Sequence, residues 1–526
     1  MPLMNTEPTL LNPESNLIQG LMSAAAYPHP IADMRLIETH ISWVLLTGKY
    51  AYKIKKPVDF GFLDFSTLDK RRHYCEEEIR LNRRLAADWY LDVVPITGSY
   101  NQPSMGGKNG SAIEYAVKMR QFPTAMTVKD RVKSGSFGVM EIDRITDLLA
   151  DFHASIARAS DNSPYGNSAG IRHWFDENYN HIRPRLRDSK RISQLQAIED
   201  WGQAEWQSKA ELMEQRKGAG FVRECHGDMH LGNMTCVDGE IILFDCIEFN
   251  PMLRWIDVIS EVAFLMIDLL HFKLDTWAFR FLNRYLQRTG DYQGMALLRY
   301  YLVYRALVLA KVSLLRAEQQ LDSALREQNL VEYGVYADLA ERFTQTPCPM
   351  LLITHGFSGS GKSYYAERLA ERIDALQIRS DIERKRLYGF SADQNTGSAT
   401  NEGIYNKDAT KKTYERLASE SQTVLNSGFS VIVDATFLKK AQREQFRQLA
   451  AQCGVQFRIL DFQVADPVLK ERILKRQHQD ASEATIDVLY RQQQTAEPLG
   501  PAEQSHTLTI DSTNDQAMAL ILAQLA

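Results

Sequence analysis

Cysteine is scarce in this chain: 6 of its 526 residues are cysteine, and no two of them form a C-x-x-C pair. This scarcity excludes a dense disulfide framework and disfavours a cysteine-based zinc site. A reducing compartment fits such usage, so we expect a cytoplasmic location. The cysteines are Cys75, Cys225, Cys236, Cys246, Cys348 and Cys453.

Long uncharged apolar runs are also missing. The most apolar long segment, residues 256–272, carries Asp257, Glu261 and Asp268, and therefore predicts a buried helix rather than a membrane span. The first residues, MPLMNTEPTLLNPESN, have no basic region followed by an apolar run, so we expect no signal peptide. Together these features predict a protein without a membrane partner.

Neither sign of charge dominates, since the formal net charge is −5. This balance argues against wholesale coating of nucleic acid or anionic membrane, although it does not exclude local basic patches. Hydrophobic residues make up 44% and charged residues 24% of the chain, ordinary values for a globular protein with sizeable cores.

The residue pattern changes along the chain and predicts five parts. These are an N-terminal arm (1–34), a strand-rich lobe around one helix (35–122), a helical lobe (123–343), a linker with two prolines (344–349) and a final domain (350–526). In the final domain strands alternate with helices, which indicates a parallel sheet with helices on both faces. The predicted fold class is therefore a mixed, multidomain α+β and α/β protein.

One motif in the final domain is a run of consecutive residues. GFSGSGKS fits G-x-x-x-x-G-K-[ST] and follows an apolar strand, as phosphate binding requires. Its glycines let backbone N–H groups surround phosphate oxygens at a helix N-terminus. We expect Lys362 to contact the β- and γ-phosphates and Ser363 to hold magnesium. The predicted nucleotide-binding residues are Gly356, Ser358, Gly359, Ser360, Gly361, Lys362 and Ser363.

Charged residues after this loop are candidate catalytic groups. Asp381 and Arg384, in SDIERKR, have the spacing of a proton acceptor and a phosphate clamp, although such charge runs are usually solvated helix starts. Asp434 ends the apolar strand of VIVDATF, where it either binds the metal or caps a turn. Arg472 and Arg476 share one helix face and either close over the γ-phosphate or lie on a surface helix.

These motifs resemble the small P-loop kinases related to polynucleotide kinase, zeta toxins and gluconate-type kinases. The resemblance covers about residues 350–510 and rests on GFSGSGKS, SDIERKR, VIVDATF, LKERILKR and QDASEAT. It implies Asp381 as the base, Arg384 as the substrate clamp, and Arg472 or Arg476 as a lid residue. It leaves the acceptor open, because members phosphorylate sugars, nucleic-acid 5′ ends, nucleotide-sugars and other hydroxyls.

The stretch ECHGDMHLGNM allows two interpretations. His226, Asp228 and His230 alternate, and on an extended segment they would point the same way as metal ligands. In a kinase loop, by contrast, Asp228 would accept a proton and Asn233 would bind magnesium. The kinase interpretation requires a second metal-binding aspartate after a short hairpin, and Asp245 ends the strand IILFD beyond a turn at Asp-Gly.

A kinase also requires an upstream strand lysine that pairs with an acidic helix residue. YAYKIKK supplies Lys53, and CEEEIRLNRRL supplies Glu78, with Glu76 and Glu77 as rivals. Each of these residues alone is a weak signal. Their order along the chain favours the kinase interpretation over a metal-hydrolase site.

This part of the chain resembles the aminoglycoside-phosphotransferase and choline-kinase-like group, whose catalytic loop H-G-D-x-H-x-x-N matches HGDMHLGN. The resemblance covers about residues 35–340 and implies a two-lobed, protein-kinase-like fold. It also implies Asp228 as the base, Asn233 and Asp245 as magnesium ligands, and Lys53 as the residue that orients the ATP phosphates. No G-x-G-x-x-G precedes Lys53, which disfavours a protein-kinase assignment.

The whole chain resembles a bacterial fusion of an aminoglycoside-phosphotransferase-like half with a P-loop kinase half. That resemblance implies two centres that use ATP and Mg²⁺ and phosphorylate hydroxyls of small-molecule acceptors, such as sugars, metabolites or aminoglycoside-like compounds. Two alternatives stay open: nucleic-acid or nucleotide end phosphorylation by the P-loop half, and an ATP-sensing regulatory or toxin-like protein. The sequence predicts neither the acceptors nor the oligomeric state.

Overall fold

A computed structural model describes residues 13–61, 63–107, 110–122, 127–392, 394, 403–476 and 485–525. The chain divides into two compact units that interleave along the sequence. The first unit is Met1–Phe137, Ile156–Gly166 and Gly220–Ile256, and the second is Gly138–Ser155, Asn167–Ala219 and Asp257–Ala526. The five parts predicted above follow the sequence rather than this packing, and their boundaries stay predictions.

Strands are concentrated early and late in the chain, with helices between them. The strands are β1 (Arg35–Glu38), β2 (Ser42–Leu46), β3 (Tyr50–Lys55), β4 (Tyr90–Ser99), β5 (Gln102–Met105), β6 (Glu114–Arg120), β7 (Val222–Glu224), β8 (Met234–Val237), β9 (Glu240–Leu243), β10 (Trp255–Asp257), β11 (Met350–His355), β12 (Ala375–Arg379), β13 (Ser430–Asp434), β14 (Gln456–Gln463) and β15 (Thr507–Asp511).

The α-helices are also numbered in chain order. They are α1 (Pro13–Leu21), α2 (Leu68–Ala86), α3 (Val128–Lys133), α4 (Val139–Ser155), α5 (Ser168–Ile182), α6 (Ser189–Gly218), α7 (Pro251–Arg254), α8 (Val258–His271), α9 (Asp275–Thr289), α10 (Met295–Gln319), α11 (Ser323–Thr344), α12 (Lys362–Arg372), α13 (Ser380–Leu387), α14 (Lys407–Asn426), α15 (Lys440–Gln452), α16 (Asp466–Arg476), α17 (Ile486–Thr495), α18 (Pro501–Gln504) and α19 (Ala517–Leu525).

The first unit contains a six-stranded antiparallel sheet in the order β1-β2-β3-β6-β4-β5. A tight turn at Thr47-Gly48 joins β2 to β3 as a hairpin. Gly48 turns the chain with a φ of +90°, a conformation that favours glycine. β3 lies inside the sheet, and because side chains alternate along a strand, Lys53 and Lys55 point to the same face.

Both faces of this sheet are covered by helices. On the face that carries Lys53, α2 contributes Cys75 and Ile79 to a core with Ala51. On the opposite face, α1 packs Leu17 and Leu21 against the sheet. Residues 13–21 of the predicted N-terminal arm therefore form a helix with a buried side.

The second unit contains a five-stranded parallel sheet in the order β12-β13-β11-β14-β15. Its core joins Leu352, Ile432 and Leu460 of the strands to Ala366 and Leu369 of α12. The mixed fold class with a final doubly wound parallel sheet is confirmed. In this sheet β11 is central and leads into the glycine loop, whereas β12 forms one edge.

The apolar segment 256–272 forms the buried helix that the sequence predicts. It corresponds to α8, where every residue from Val258 to Leu270 is buried. Among the residues that the structure describes, no helix combines the length and the apolar character needed to cross a membrane.

Candidate active sites

The loop after β7 carries the predicted base of the first centre, and hydrogen bonds hold its shape. The buried His226 donates from Nε2 to the Phe244 carbonyl oxygen (2.9 Å), and its Nδ1 accepts the Asp228 backbone N–H (3.3 Å). Gly227 has a φ of +89°, and a side-chain carbon there would lie 3.0 Å from a backbone carbonyl oxygen. Because both His226 nitrogens are engaged, the alternative three-residue metal site loses one of its ligands.

Asp228 and Asn233 lie together, as the kinase interpretation requires. The Asn233 Nδ2 donates to Asp228 Oδ2 at 2.9 Å, and the His230 Nε2 lies 3.4 Å from the same oxygen. Burial opposes ionisation of this carboxyl group, but the charges of His230 and His226 and the Asn233 amide lower the pKa of Asp228 to about 2. Asp228 is therefore ionised at neutral pH, and Asn233, whose nitrogen faces Asp228, offers its amide oxygen to a cation.

Asp245 follows β9 in a strained backbone conformation with a φ of +65°. Such strain is frequent at functional sites. The Asp245 N–H donates to the Tyr90 hydroxyl oxygen at 3.2 Å. The neighbouring Phe244 donates its N–H to the Asn233 carbonyl oxygen at 3.0 Å, which brings the two predicted metal ligands of this centre side by side. The Asp245 side chain is 44% exposed and can be reached from solvent.

The predicted pair of a strand lysine and a helix glutamate is present. The Lys53 Nζ lies 2.9 Å from Glu78 Oε1 and 2.5 Å from Asp245 Oδ1. Glu78 is the partner because Glu76 and Glu77 instead pair with arginines of the same helix. Lys53 therefore joins α2 to the predicted metal-binding loop within the first unit.

Lys55 and Glu248 extend this cluster and were not predicted. The Lys55 Nζ lies 2.7 Å from Glu78 Oε2 and forms a second ion pair with Glu248. The Lys55 and Glu78 side chains are fully buried. Burial opposes ionisation of Glu78, but Lys53 and Lys55 lower its pKa to about 2, whereas burial raises the pKa of Glu248. The available sequence signal is the K-x-K alternation in β3, which places both lysines on one face.

The glycine loop of the second centre turns where a side chain would not fit. Gly356 has a φ of +141°, and a side-chain carbon there would lie 2.8 Å from a backbone carbonyl oxygen. At Gly359, which has a φ of +85°, a side-chain carbon would lie 2.7 Å from another backbone carbonyl oxygen. Gly361, with a φ of +90°, directly precedes α12. The loop therefore presents its backbone at the N-terminus of a helix, as phosphate binding requires.

Lys362 folds over this loop, and a residue that was not predicted holds the loop from its other side. The Lys362 Nζ donates to the Phe357 carbonyl oxygen at 2.7 Å and lies 3.5 Å from Ser360 Oγ. Ser358 donates its N–H to Gln492 Oε1 (2.9 Å), and the Gln492 Nε2 donates to Ser358 Oγ (3.0 Å). A single glutamine in a helix belongs to no motif, so no sequence signal pointed to Gln492.

Asp434 and Ser363 also lie together. The Ser363 hydroxyl donates a hydrogen bond to Asp434, and the Arg379 Nε lies 3.7 Å from Asp434 Oδ2. The Gln377 Nε2 donates to the same oxygen at 3.1 Å. Burial, partly offset by the charges of Arg379 and Lys362, raises the pKa of Asp434. The structure thus brings together the two predicted metal ligands of the second centre.

Asp381 and Arg384 lie on α13, which is not the solvated helix start of the alternative interpretation. Residues 382–385 are buried. Arg384 donates from Nη1 to the Ile404 carbonyl oxygen at 3.0 Å, and among the described residues its buried Nε has no hydrogen-bond partner. Asp381 is half-buried in the first turn, and its charge acts on Asp434.

Arg472 contacts the glycine loop rather than lying on a free surface helix. Its Nη1 lies 3.4 Å from the Gly359 carbonyl oxygen and 2.7 Å from Ser512 Oγ. This position suits a cation beside a bound phosphate. The Arg476 side chain and residues 479–484 of the QDASEAT motif lie outside the described part of the chain.

Both donor sets fit magnesium. Asn233 and Asp245 offer amide and carboxylate oxygens, and Ser363 and Asp434 offer hydroxyl and carboxylate oxygens, the hard ligands that Mg²⁺ prefers. The glycine loop, with its helix N-terminus and Lys362, fits the phosphates of a nucleotide.

A buried carboxylate pair lies beside this second centre. Glu383 of α13 and Glu420 of α14 both lie 2.8 Å from the Arg416 Nε. Burial, followed by the charge of Glu383, raises the pKa of Glu420 from 4.5 to about 9. The folded protein therefore keeps a proton that the unfolded chain releases above about pH 4.5. The contribution of this group to stability is complete at low pH and is lost as the pH rises towards 9.

We expect the variant Glu420→Gln to flatten the dependence of stability on pH, because an amide cannot ionise. Wild type should lose several kcal/mol in free energy of unfolding from this group between about pH 4.5 and 9, because one unit of pKa shift corresponds to about 1.4 kcal/mol. Urea unfolding of the full chain at several pH values measures the loss. Glu415→Gln, at an exposed position of the same helix, is the matched control and should follow wild type. A pH dependence of Glu420→Gln stability that parallels wild type would contradict the raised pKa of Glu420.

Comparison with known proteins supports the predicted two-part organisation. Residues 351–499 match the AAA domain family, which confirms the P-loop half. The uncharacterized protein Rv2004c of Mycobacterium tuberculosis (strain ATCC 25618 / H37Rv) is 30% identical over 465 residues. That alignment spans 88% of this chain and 90% of Rv2004c, so it includes both halves.

Solved kinase structures resemble parts of the chain. A gluconokinase from Sinorhizobium meliloti 1021 is 22% identical, covers 34% of this chain and 93% of its own, and has a TM-score of 0.26. A choline/ethanolamine kinase family protein from Mesorhizobium loti is 10% identical, covers 62% of this chain and 99% of its own, and has a TM-score of 0.36.

Proposed function

The chain belongs to the protein family that includes Rv2004c of Mycobacterium tuberculosis, and we propose that it is an ATP- and Mg²⁺-dependent phosphotransferase with two kinase centres. One observation supports this proposal most directly. Each centre joins a lysine, a candidate base and a pair of oxygen ligands: Lys53, Asp228, Asn233 and Asp245 in the first, and Lys362, Asp381, Ser363 and Asp434 in the second.

In the first centre, Asp228 orients the acceptor hydroxyl and accepts its proton. The hydroxyl oxygen then forms a bond to the γ-phosphorus while the bond to the β,γ-bridging oxygen breaks, and ADP leaves. Lys53 contacts the ATP phosphates from a position that Glu78 fixes at 2.9 Å. This chemistry depends on positioning more than on base strength, which suits a carboxylate whose pKa is about 2.

In the second centre, Asp381 plays the same part for a different acceptor. Lys362 and the glycine loop hold the nucleotide phosphates, while the Arg384 guanidinium clamps the acceptor or the transferring group. Arg472, with Arg476 on the same helix, closes the phosphate side. Magnesium bound at Asn233 and Asp245, and at Ser363 and Asp434, would offset the negative charge of the ATP phosphates.

Small polar molecules are the acceptors that we propose for both centres. The nucleic-acid alternative relies on basic residues in and beside α13, and these side chains contact other groups of the protein: Arg379, Arg384, Lys385 and Arg386. Lys385 donates to the Ala392 carbonyl oxygen at 3.2 Å, and Arg386 pairs with Glu383. The net charge of −5 also gives no overall attraction to a phosphate backbone. The cysteine usage supports a cytoplasmic location for this activity.

The test is incubation of the protein with labelled ATP and a metabolite extract. Wild type should produce at least two labelled products, of which Asp228→Asn removes one and Asp381→Asn removes another. The turn residue Asp238 and the exposed Asp408 supply matched controls, because Asp238→Asn and Asp408→Asn remove the same charge elsewhere. If Asp228→Asn and Asp381→Asn both keep every product of wild type, the two-centre proposal fails.

The same assay separates the alternatives. An oligonucleotide with a 5′-hydroxyl group, labelled with a rate that falls steeply with salt, would favour nucleic-acid end phosphorylation. Tight ATP binding without a labelled product in any extract would favour an ATP-sensing protein.

A further inference from the structure

Helix α9 closes the open edge of the parallel sheet in the second unit. β12 is an edge strand, and its outward peptide groups need partners. The Asn283 Nδ2 donates to the Ala375 carbonyl oxygen at 3.0 Å, and the Gln377 N–H donates to Asn283 Oδ1 at 2.6 Å. The buried carboxamide of Asn283 thus takes the place of a neighbouring peptide unit.

A chain of amides continues from α9 to the predicted metal ligand Asp434. The Gln287 Nε2 donates to Gln377 Oε1 at 3.3 Å, and the Gln377 Nε2 donates to Asp434 Oδ2 at 3.1 Å and to the Ser363 carbonyl oxygen at 3.4 Å. The contact with Gln287 favours the same orientation of the Gln377 amide that the hydrogen bond to Asp434 requires. With the opposite orientation, the Gln377 oxygen would face a buried carboxylate and repel it.

Ion pairs on two sides fix the position of α9. Three arginines of α9 pair with three aspartates of α4 at matching intervals of four residues: Arg280 with Asp143, Arg284 with Asp147 and Arg288 with Asp151. Arg280 also reaches Glu371 of α12 at 2.7 Å. Helix α9, which contacts Gln377, is therefore itself held in place by α4 and by α12, the helix that follows the glycine loop.

We propose that α9 sets the magnesium affinity of the P-loop centre, with Gln377 as a positioning residue for Asp434. The inference rests on the proposed function of that centre. Hydrogen-bond partners behind a metal ligand fix its orientation, and their loss weakens metal binding about 10- to 100-fold. Asn283 and Gln287 fall in the range 123–343 predicted for the helical lobe, but in the structure they belong to the same unit as the parallel sheet and contact Gln377 behind the metal ligand.

The experiment measures binding of a non-hydrolysable ATP analogue to the full chain by calorimetry, at a series of Mg²⁺ concentrations. The signal of the P-loop centre is the part of the binding that Lys362→Ala removes. We expect Gln377→Met, which keeps the shape without the amide, to raise the Mg²⁺ concentration at half-saturation about 10-fold. Asn283→Leu and Gln287→Leu should shift it in the same direction, while binding without Mg²⁺ stays within about twofold of wild type.

Thr276→Ala is the control, because Thr276 is an exposed residue of the same helix. It should leave the Mg²⁺ dependence as in wild type. Gln287 is only half-buried, so Gln287→Leu keeps the test valid if either of the more buried positions does not tolerate substitution. An unchanged Mg²⁺ dependence in folded Gln377→Met and Gln287→Leu overturns the inference alone. Failure of Lys362→Ala to remove any binding overturns the proposed function of the P-loop centre, and the inference with it.

Discussion

Replacing Lys362 with alanine should lower ATP turnover at the P-loop centre by about 100-fold or more. The Lys362 Nζ lies 2.7 Å from the Phe357 carbonyl oxygen, so its charge sits inside the glycine loop that is proposed to hold the phosphates. A cation at that place acts on charge that develops as the γ-phosphoryl group moves, in a site from which water is largely excluded. Alanine removes this charge but keeps a residue that favours the start of α12.

The measurement is steady-state ATP turnover in an Asp228→Asn background, in which the first centre is silent. The double variant should show almost no turnover, whereas Lys362→Ala alone should keep the product of the first centre. Lys475→Ala is the control, because Lys475 is exposed and pairs with Glu471 on a helix surface. Unreduced turnover in the double variant would show that the P-loop centre is not a source of ATP turnover.

The P-loop centre was largely accessible from sequence because its main residues are neighbours in the chain. From Gly356 to Ser363 eight consecutive residues form the loop, and a loop of this kind is determined locally by glycine conformations and the start of a helix. Asp434 could be added because it ends the strand next to β11 in a parallel sheet. Gln492 and Gln377 were not accessible, since their contacts with Ser358 and Asp434 depend on how separate elements pack.

The first centre was accessible in outline but not in detail. The order of Lys53, Glu78, Asp228, Asn233 and Asp245 predicted which residues meet, yet three glutamates in a row left the lysine's partner open. Successive helix residues point about 100° apart, so only the packing of α2 on the sheet selects Glu78. Lys55 and Glu248 were missed because a charged residue is normally expected to face solvent. Their burial follows from contacts between residues 193 positions apart.

The three lysines of YAYKIKK should respond to methionine substitution in three different ways. Lys53→Met should lower turnover at the first centre by about 100-fold. Its effect on stability should be smaller, because Glu78 keeps Lys55 at 2.7 Å and the 44% exposed Asp245 can be solvated. Lys56→Met should change little on either measure, since Lys56 pairs with the exposed Glu38 and such surface pairs contribute about 1 kcal/mol or less.

Lys55→Met should have the largest effect on stability. It leaves Glu248, whose side chain is 4% exposed, buried without its cation. Removing one partner of a buried ion pair costs about 3–5 kcal/mol. Burial already raises the pKa of Glu248, and loss of Lys55 raises it further, so Glu248 takes up a proton in the folded variant. A group with a raised folded-state pKa loses its stabilising contribution as the pH rises. Lys55→Met should therefore lower the free energy of unfolding less at pH 5 than at pH 8.

Urea unfolding at these two pH values, with turnover measured in a Lys362→Ala background, separates the three positions. The double variant Lys55→Met/Glu248→Gln provides the internal control: it removes the unpaired carboxylate, so it should recover part of the stability and lose the added pH dependence. Equal stability of Lys55→Met and Lys56→Met would contradict the buried cluster. Full turnover in Lys53→Met would contradict the proposed contact of Lys53 with the ATP phosphates. Among the ion pairs described, Lys53 alone supplies the positive charge that lies within 3 Å of both Glu78 Oε1 and Asp245 Oδ1.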